Sequence, residues 1–141
     1  MKRIKQTIIR EENLTMITTN GLNHLASSVK DPERSAPFYA DLFKMEITSS
    51  SPDIAFLKTI GSTDMIALKR SDIEVVSSRD TMHFGFIDDP EQFDAALRTI
   101  EEKSVKKVSE PSERGIGRYI FIEDPDGYTI EIFECLSPPY A

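Results

Sequence analysis

Tryptophan is absent from this chain of 141 residues, and cysteine occurs once, as Cys135. One cysteine excludes an intrachain disulfide and fits a reducing compartment. Basic residues are in short supply, 17 against 24 acidic, for a formal net charge of −7. A broad nucleic-acid surface needs a basic stripe to replace counterions, and none is present. No apolar run approaches the roughly 18–20 residues of a membrane span. Lys2, Arg3 and Lys5 are followed only by Ile8 and Ile9 before Glu11 and Glu12, too short and too charged for a signal peptide. The expectation is a soluble cytoplasmic protein with no nucleic-acid or membrane partner. Long single-sign charge blocks are also missing, and Ile, Val, Leu and Phe recur throughout, which excludes a disordered chain. The length suits one compact domain or two small modules that share a core.

What is present is an internal repeat. Asn23-His24-Leu25-Ala26-Ser27-Ser28-Val29-Lys30-Asp31-Pro32-Glu33 matches Met82-His83-Phe84-Gly85-Phe86-Ile87-Asp88-Asp89-Pro90-Glu91 with a one-residue gap. Each copy places a histidine in a strand-like run, then Asp-Pro-Glu, then an amphipathic helix. Asp31 and Asp89 can N-cap, Pro32 and Pro90 then occupy the first helical position, and Glu33 and Glu91 favour the positive helix end. Ser35, Phe38, Tyr39, Leu42 and Phe43 share one helix face; Phe93, Ala96, Leu97 and Ile100 share the other. Pro37 removes a helical hydrogen bond, so a bend or a weak first turn is expected there. Strands are expected at 45–50, 54–60 and 64–70, then at 104–109, 117–123 and 128–134, with a tight turn at Asp124-Pro125-Asp126-Gly127. The chain divides into an extension (1–18), a βαβββ module (19–70), a linker (71–79), a second βαβββ module (80–135) and a tail (136–141). The fold class is α+β, with the modules curled around a shared cavity.

The only two histidines sit at equivalent positions of the repeat. Strand alternation places His24 and His83 opposite the residues that pack on the helices. In Tyr128-Thr129-Ile130-Glu131-Ile132-Phe133-Glu134, Ile130 and Ile132 pack on one face and Glu131 shares the other with Thr129 and Phe133. A carboxylate among apolar neighbours is costly unless it is paired, protonated or bound to a cation. Taken singly, each histidine has an ordinary structural reading and the glutamate a solvated one. Together, two imidazoles and a carboxylate make the facial set that binds divalent metals with open positions.

At these residues the sequence resembles the vicinal oxygen chelate superfamily of glyoxalases, fosfomycin-modifying enzymes, bleomycin-resistance proteins and extradiol dioxygenases. The resemblance rests on Gly21-Leu22-Asn23-His24-Leu25, Asp31-Pro32-Glu33-Arg34-Ser35, Phe38-Tyr39, His83-Phe84-Gly85-Phe86, Gly117-Arg118-Tyr119-Ile120-Phe121 and Asp124-Pro125-Asp126-Gly127-Tyr128-Thr129-Ile130-Glu131. It implies that His24, His83 and Glu131 are metal ligands, that a fourth ligand position is filled here by the inert Ala67, and that a homodimer brings His24 of one protomer to His83 and Glu131 of the other. Ala67 weakens a glyoxalase I assignment. Ala26 stands where fosfomycin thiol transferases usually carry threonine, and no third histidine is available for the extradiol acid–base set.

The expected function is that of a divalent-metal-dependent enzyme, of lyase, isomerase or dioxygenase type, on a small oxygen-rich substrate chelated to Zn, Mn, Ni, Co or Fe(II). Arg118 and Tyr119 are candidates for substrate contact at the cavity mouth. The rival expectation is a protein that sequesters a flat, antibiotic-like small molecule without catalysis.

Overall fold

The computed structural model describes residues 16–136. Most of the expected extension and tail lies outside the described residues. Strand β1 (Leu25–Val29) leads into helix α1 (Pro32–Phe43) and strands β2 (Met45–Ser50), β3 (Ile54–Thr59) and β4 (Ile66–Arg70). The second half repeats this pattern: β5 (Phe84–Asp88), α2 (Pro90–Glu102), β6 (Ser112–Arg114), β7 (Gly117–Glu123) and β8 (Thr129–Glu134). The sheets have orders β1-β4-β3-β2 and β5-β8-β7-β6. In each, the first strand runs parallel to the last. The repeat is thus a repeat of topology, and the fold is α+β with two βαβββ modules. Among the described residues no helix is long and apolar enough to cross a membrane.

Both helices begin where their aspartates stand. The Glu33 N–H donates to the Asp31 carboxylate at 3.0 Å, and Pro32 opens the helix. Asp89 accepts from the Gln92 N–H at 2.8 Å while the Gln92 side chain accepts from the Asp89 N–H at 2.9 Å, a reciprocal capping box. Helix α1 runs unbroken through Pro37, whose side faces solvent. It ends at Lys44 in the left-handed conformation, with φ 52°.

One strand departs from expectation. Residues 104–109 form no named strand, only a single bridge between Lys107 and Ile122, and the outer strand of the second sheet is the short β6. The apolar periodicity of this run is interrupted by two lysines. Lys106 reaches Glu123 at 3.0 Å, and Lys107 reaches Glu101 at 2.9 Å. Residues 71–83 carry neither helix nor strand.

The helix-facing sides of the two sheets share one apolar core. Tyr39, Leu57, Leu68 and Val29 of the first half join Phe93, Ile120, Ile122 and Ile130 of the second. Phe43 stacks on Phe86 with centroids 4.0 Å apart. Around this core runs a polar interlock. The Tyr39 hydroxyl donates to Asp124 at 2.5 Å, the Ser35 hydroxyl to Asp126 at 2.5 Å, and the Arg34 guanidinium to Asp126 at 3.0 Å. The Tyr128 hydroxyl both accepts from the Ser28 N–H and donates to the Ser28 carbonyl, each at 2.9 Å. Asp124 also holds its own turn, accepting from the Asp126 and Tyr128 N–H groups. Burial of Tyr39, reinforced by the Asp124 charge, pushes its phenol well above the usual range.

Asp88, at the end of β5, is partly buried beside Asp89. Burial first, and the neighbouring carboxylate second, raise its pKa to about 6. The folded state therefore holds a proton that the unfolded chain releases at lower pH. The contribution of Asp88 to stability is full below its unfolded value of 3.8 and is lost as pH rises through about 6. Asp88→Asn is expected to stabilise the protein at pH 7 by about 1 kcal/mol and to flatten the pH 4–7 slope. Thermal melts of both proteins across that range check this, and identical slopes would refute it.

Candidate functional site

The site is built on the second sheet. Strand β8 lies between β5 and β7, with Glu131 opposite Gly85 on one side and Phe121 on the other. Ile130 and Ile132 turn into the core, so alternation sends Glu131 and Phe133 to the uncovered face. His83 stands one residue before β5, on the same face as Gly85. A Cβ at Gly85 would lie 3.1 Å from the Glu131 carbonyl oxygen and 3.3 Å from its Cβ, so glycine lets β5 approach Glu131 closely.

This packing brings His83 Nε2 to 3.4 Å from Glu131 Oε2. The separation is too long for a good hydrogen bond. His83 Nδ1 is buried with no hydrogen-bond partner, which among the described residues is true of no other side-chain nitrogen or oxygen. The ring instead meets the edge of Phe121, with centroids 5.2 Å apart. The other Glu131 oxygen, Oε1, accepts from Arg114 Nη2 at 2.5 Å. The Arg114 guanidinium lies 4.1 Å above the Tyr119 ring and 5.3 Å from that of Phe133. Arg79, from the linker, stands 4.9 Å over Phe121 and 5.9 Å from Tyr119. Beside this cluster opens a cleft of about 510 Å³, lined by Gly85, Ile87, Arg114, Ile116, Glu131 and Phe133 among others.

The other expected residues fall elsewhere. His24 is exposed, one residue before β1, with its Nδ1 2.8 Å from Asn23 Oδ1. Ala67 is buried opposite Ala26 in the β1–β4 pair. Among the described residues no three His, Cys, Asp or Glu side chains gather as a metal-binding group within one chain. Tyr119 is on the Glu131 face, under Arg114. Arg118 is on the opposite face: it ion-pairs with the buried Glu134, reaches Asp94 of α2 at 2.9 Å and covers the Phe93 ring at 4.7 Å. These partners, Glu134 first, hold its guanidinium protonated even more firmly than usual. Arg114 was not among the expected site residues. The signal that could have found it is an arginine followed by Gly115-Ile116-Gly117, a hairpin tip that aims it at the next strand.

The model of the Glyoxalase/Bleomycin resistance protein/Dioxygenase superfamily matches residues 21–132, from the first histidine motif through the Glu131 strand. The chain belongs to that superfamily. Within this glyoxalase/bleomycin resistance/dioxygenase superfamily it is 30 % identical over 115 residues to "Metallothiol transferase FosB" of Staphylococcus epidermidis, covering 79 % of each chain. It is also similar to the solved structure of the fosfomycin resistance protein FosX from Listeria monocytogenes, at 25 % identity and a TM-score of 0.71, covering 84 % of this chain and 94 % of that one. The fold likewise matches a superfamily protein from Alicyclobacillus acidocaldarius, at 22 % identity and TM-score 0.70, over 86 % of this chain and 96 % of that one.

His83 and Glu131 fit the divalent metal that the superfamily implies. Two donors bound to one ion at about 2.0–2.2 Å with tetrahedral angles stand about 3.4 Å apart, the separation found between Nε2 and Oε2. One imidazole and one carboxylate are also the donor types such ions take.

Proposed function

We propose that this protein is a divalent-metal-dependent enzyme acting on a small oxygen-rich substrate, with addition of a thiol to that substrate as its reaction. The observation that carries the reading is the convergence of His83 Nε2 and Glu131 Oε2 at 3.4 Å on an open, aromatic-lined face. The curated relative is a metallothiol transferase by name, which supports the thiol reaction over the isomerase and dioxygenase alternatives. A metal ion held by His83, Glu131 and a His24 would supply Lewis-acid stabilisation of charge developing on a substrate oxygen. Tyr119, Phe121 and Phe133 would exclude water from the bound substrate, and Arg79 and Arg114 would attract an anionic group on it. Ala26 stands at a position where such transferases usually carry threonine.

The third ligand comes from a second copy. His24 and His83 each precede an edge strand, β1 and β5, and these edges carry the exposed apolar side chains Leu22, Met82 and Ile87. A homodimer would bring His24 of one protomer to His83 and Glu131 of the other. Mixing His24→Ala with His83→Ala protomers is expected to restore metal binding at about a quarter of the sites, because each mixed dimer regains one intact site. Zn²⁺ titration of the separate and mixed variants reads this, and mixtures no better than their components would refute the shared site.

The reaction is tested by loading the protein with Zn²⁺ or Mn²⁺, adding fosfomycin (a small epoxide) and a thiol, and following epoxide opening by phosphorus NMR. Metal-dependent thiol adduct formation is expected. A second reading, sequestration without catalysis, draws support from Arg114, which pairs with Glu131 while lying over the Tyr119 ring. Ligand binding that persists in excess chelator, with no turnover, would favour it.

A further inference from the structure

Glu131 is doubly engaged. Oε2 faces His83, and Oε1 takes the 2.5 Å ion pair from Arg114. The carboxylate is largely buried, with its side chain 14 % exposed, while Arg114 remains 47 % exposed. A half-enclosed carboxylate with no cation would be costly. The guanidinium need not be lost to solvent if it leaves Glu131, because it already rests on the Tyr119 and Phe133 rings. Its strand is short: β6 has three residues, all exposed, and pairs only with β7.

From this geometry we infer that Arg114 is a resident counter-cation for Glu131, one that holds the carboxylate in place when no metal is bound and competes with the metal for it. The inference rests on the reading of His83 and Glu131 as metal ligands. A divalent ion on Oε2 would draw charge from the carboxylate and repel the guanidinium on Oε1. Metal binding therefore displaces Arg114 from Oε1 and leaves it over Tyr119, facing the cleft. The pair thus sets metal affinity below what the ligands alone would give, and keeps the empty site folded. The opposite role is also physically defined. A residue that merely orients a ligating carboxylate raises metal affinity, and its loss typically weakens binding by about 10–100-fold.

The two roles predict opposite signs. Arg114→Gln is expected to tighten Zn²⁺ binding by about tenfold or more, since a charge-assisted hydrogen bond no longer has to be broken. In the presence of a chelator the same variant is expected to melt below the wild type by several degrees, with the gap closing when Zn²⁺ is added. Arg114→Lys, which keeps the charge without the planar fork, is expected to fall between the two proteins and secures the comparison if the glutamine variant does not fold. Affinity is read by competition with a chromogenic chelator, and stability by thermal denaturation, using the full-length protein. Weaker or unchanged Zn²⁺ affinity in Arg114→Gln, with the wild type binding and His83→Ala not binding, overturns the counter-cation role and leaves the metal site standing. Zn²⁺ binding by Arg114→Gln but not by the wild type supports it in its strongest form. Absence of binding in both overturns the metal site and the counter-cation together.

Discussion

His83→Ala is expected to weaken divalent-metal binding by more than roughly 100-fold while leaving the fold intact. Loss of an outer partner of a metal ligand already costs about 10–100-fold, so loss of a ligand costs more. The structure explains why the fold survives. His83 lies before β5 rather than within it, and contributes no pairing to the sheet. Its Nδ1 is already without a partner, so removing the ring also removes an unsatisfied polar atom. What is lost is an edge contact with Phe121. Isothermal titration with Zn²⁺, beside a thermal melt in chelator, separates the two effects. A variant that is folded and keeps its metal stoichiometry would remove His83 from the site and overturn the proposed metal centre.

Gly117→Ala is expected to be the most damaging single methyl that can be added to the second sheet. A Cβ there would lie 1.6 Å from the Glu134 carbonyl oxygen and 2.8 Å from its carbon. Both are backbone atoms, so no rotamer change relieves the clash, and φ of 154° disfavours a side chain besides. Relief requires β7 and the end of β8 to separate. That would unseat the Arg118–Glu134 ion pair, which is largely buried on its Glu134 side, and would shift the hairpin that presents Arg114. A loss of more than about 4 kcal/mol is expected, enough to unfold many domains of this size. Urea denaturation followed by circular dichroism measures it. A loss under about 1 kcal/mol would show that β7 and β8 move apart freely at this end.

Much of the fold was legible because local chemistry and tertiary packing agree. The Asp-Pro-Glu starts fix both helices through side-chain acceptors that need no distant partner. Glu131 was assigned its face correctly because Ile130 and Ile132 are buried and bracket it. Strand β7 is the contrary case. Ile120, Phe121 and Ile122 are all buried, so the run carries no alternation of apolar and polar residues to say which way its flanking residues point. Arg118 and Tyr119, both expected at the cleft, occupy opposite faces. Strand β6 was missed for a related reason: Ser112, Glu113 and Arg114 are all exposed, and nothing apolar marks them as a strand. Arg114 was therefore invisible as a partner of Glu131 until the hairpin placed it there. The separation of His24 from His83 within one chain is likewise a matter of how the modules join, which no local pattern encodes.

The interlock around Asp124, Asp126 and Tyr128 has a bearing on how this molecule comes apart. The turn that leads into the Glu131 strand is bonded to the first turns of α1 and to Ser28, so neither module can open its own end without stripping hydrogen bonds from the other. The two halves are therefore a single cooperative unfolding unit rather than a pair of independent foldons. Hydrogen exchange is expected to give the amide protons of Ser28 and Tyr128, a hundred residues apart, one shared protection free energy.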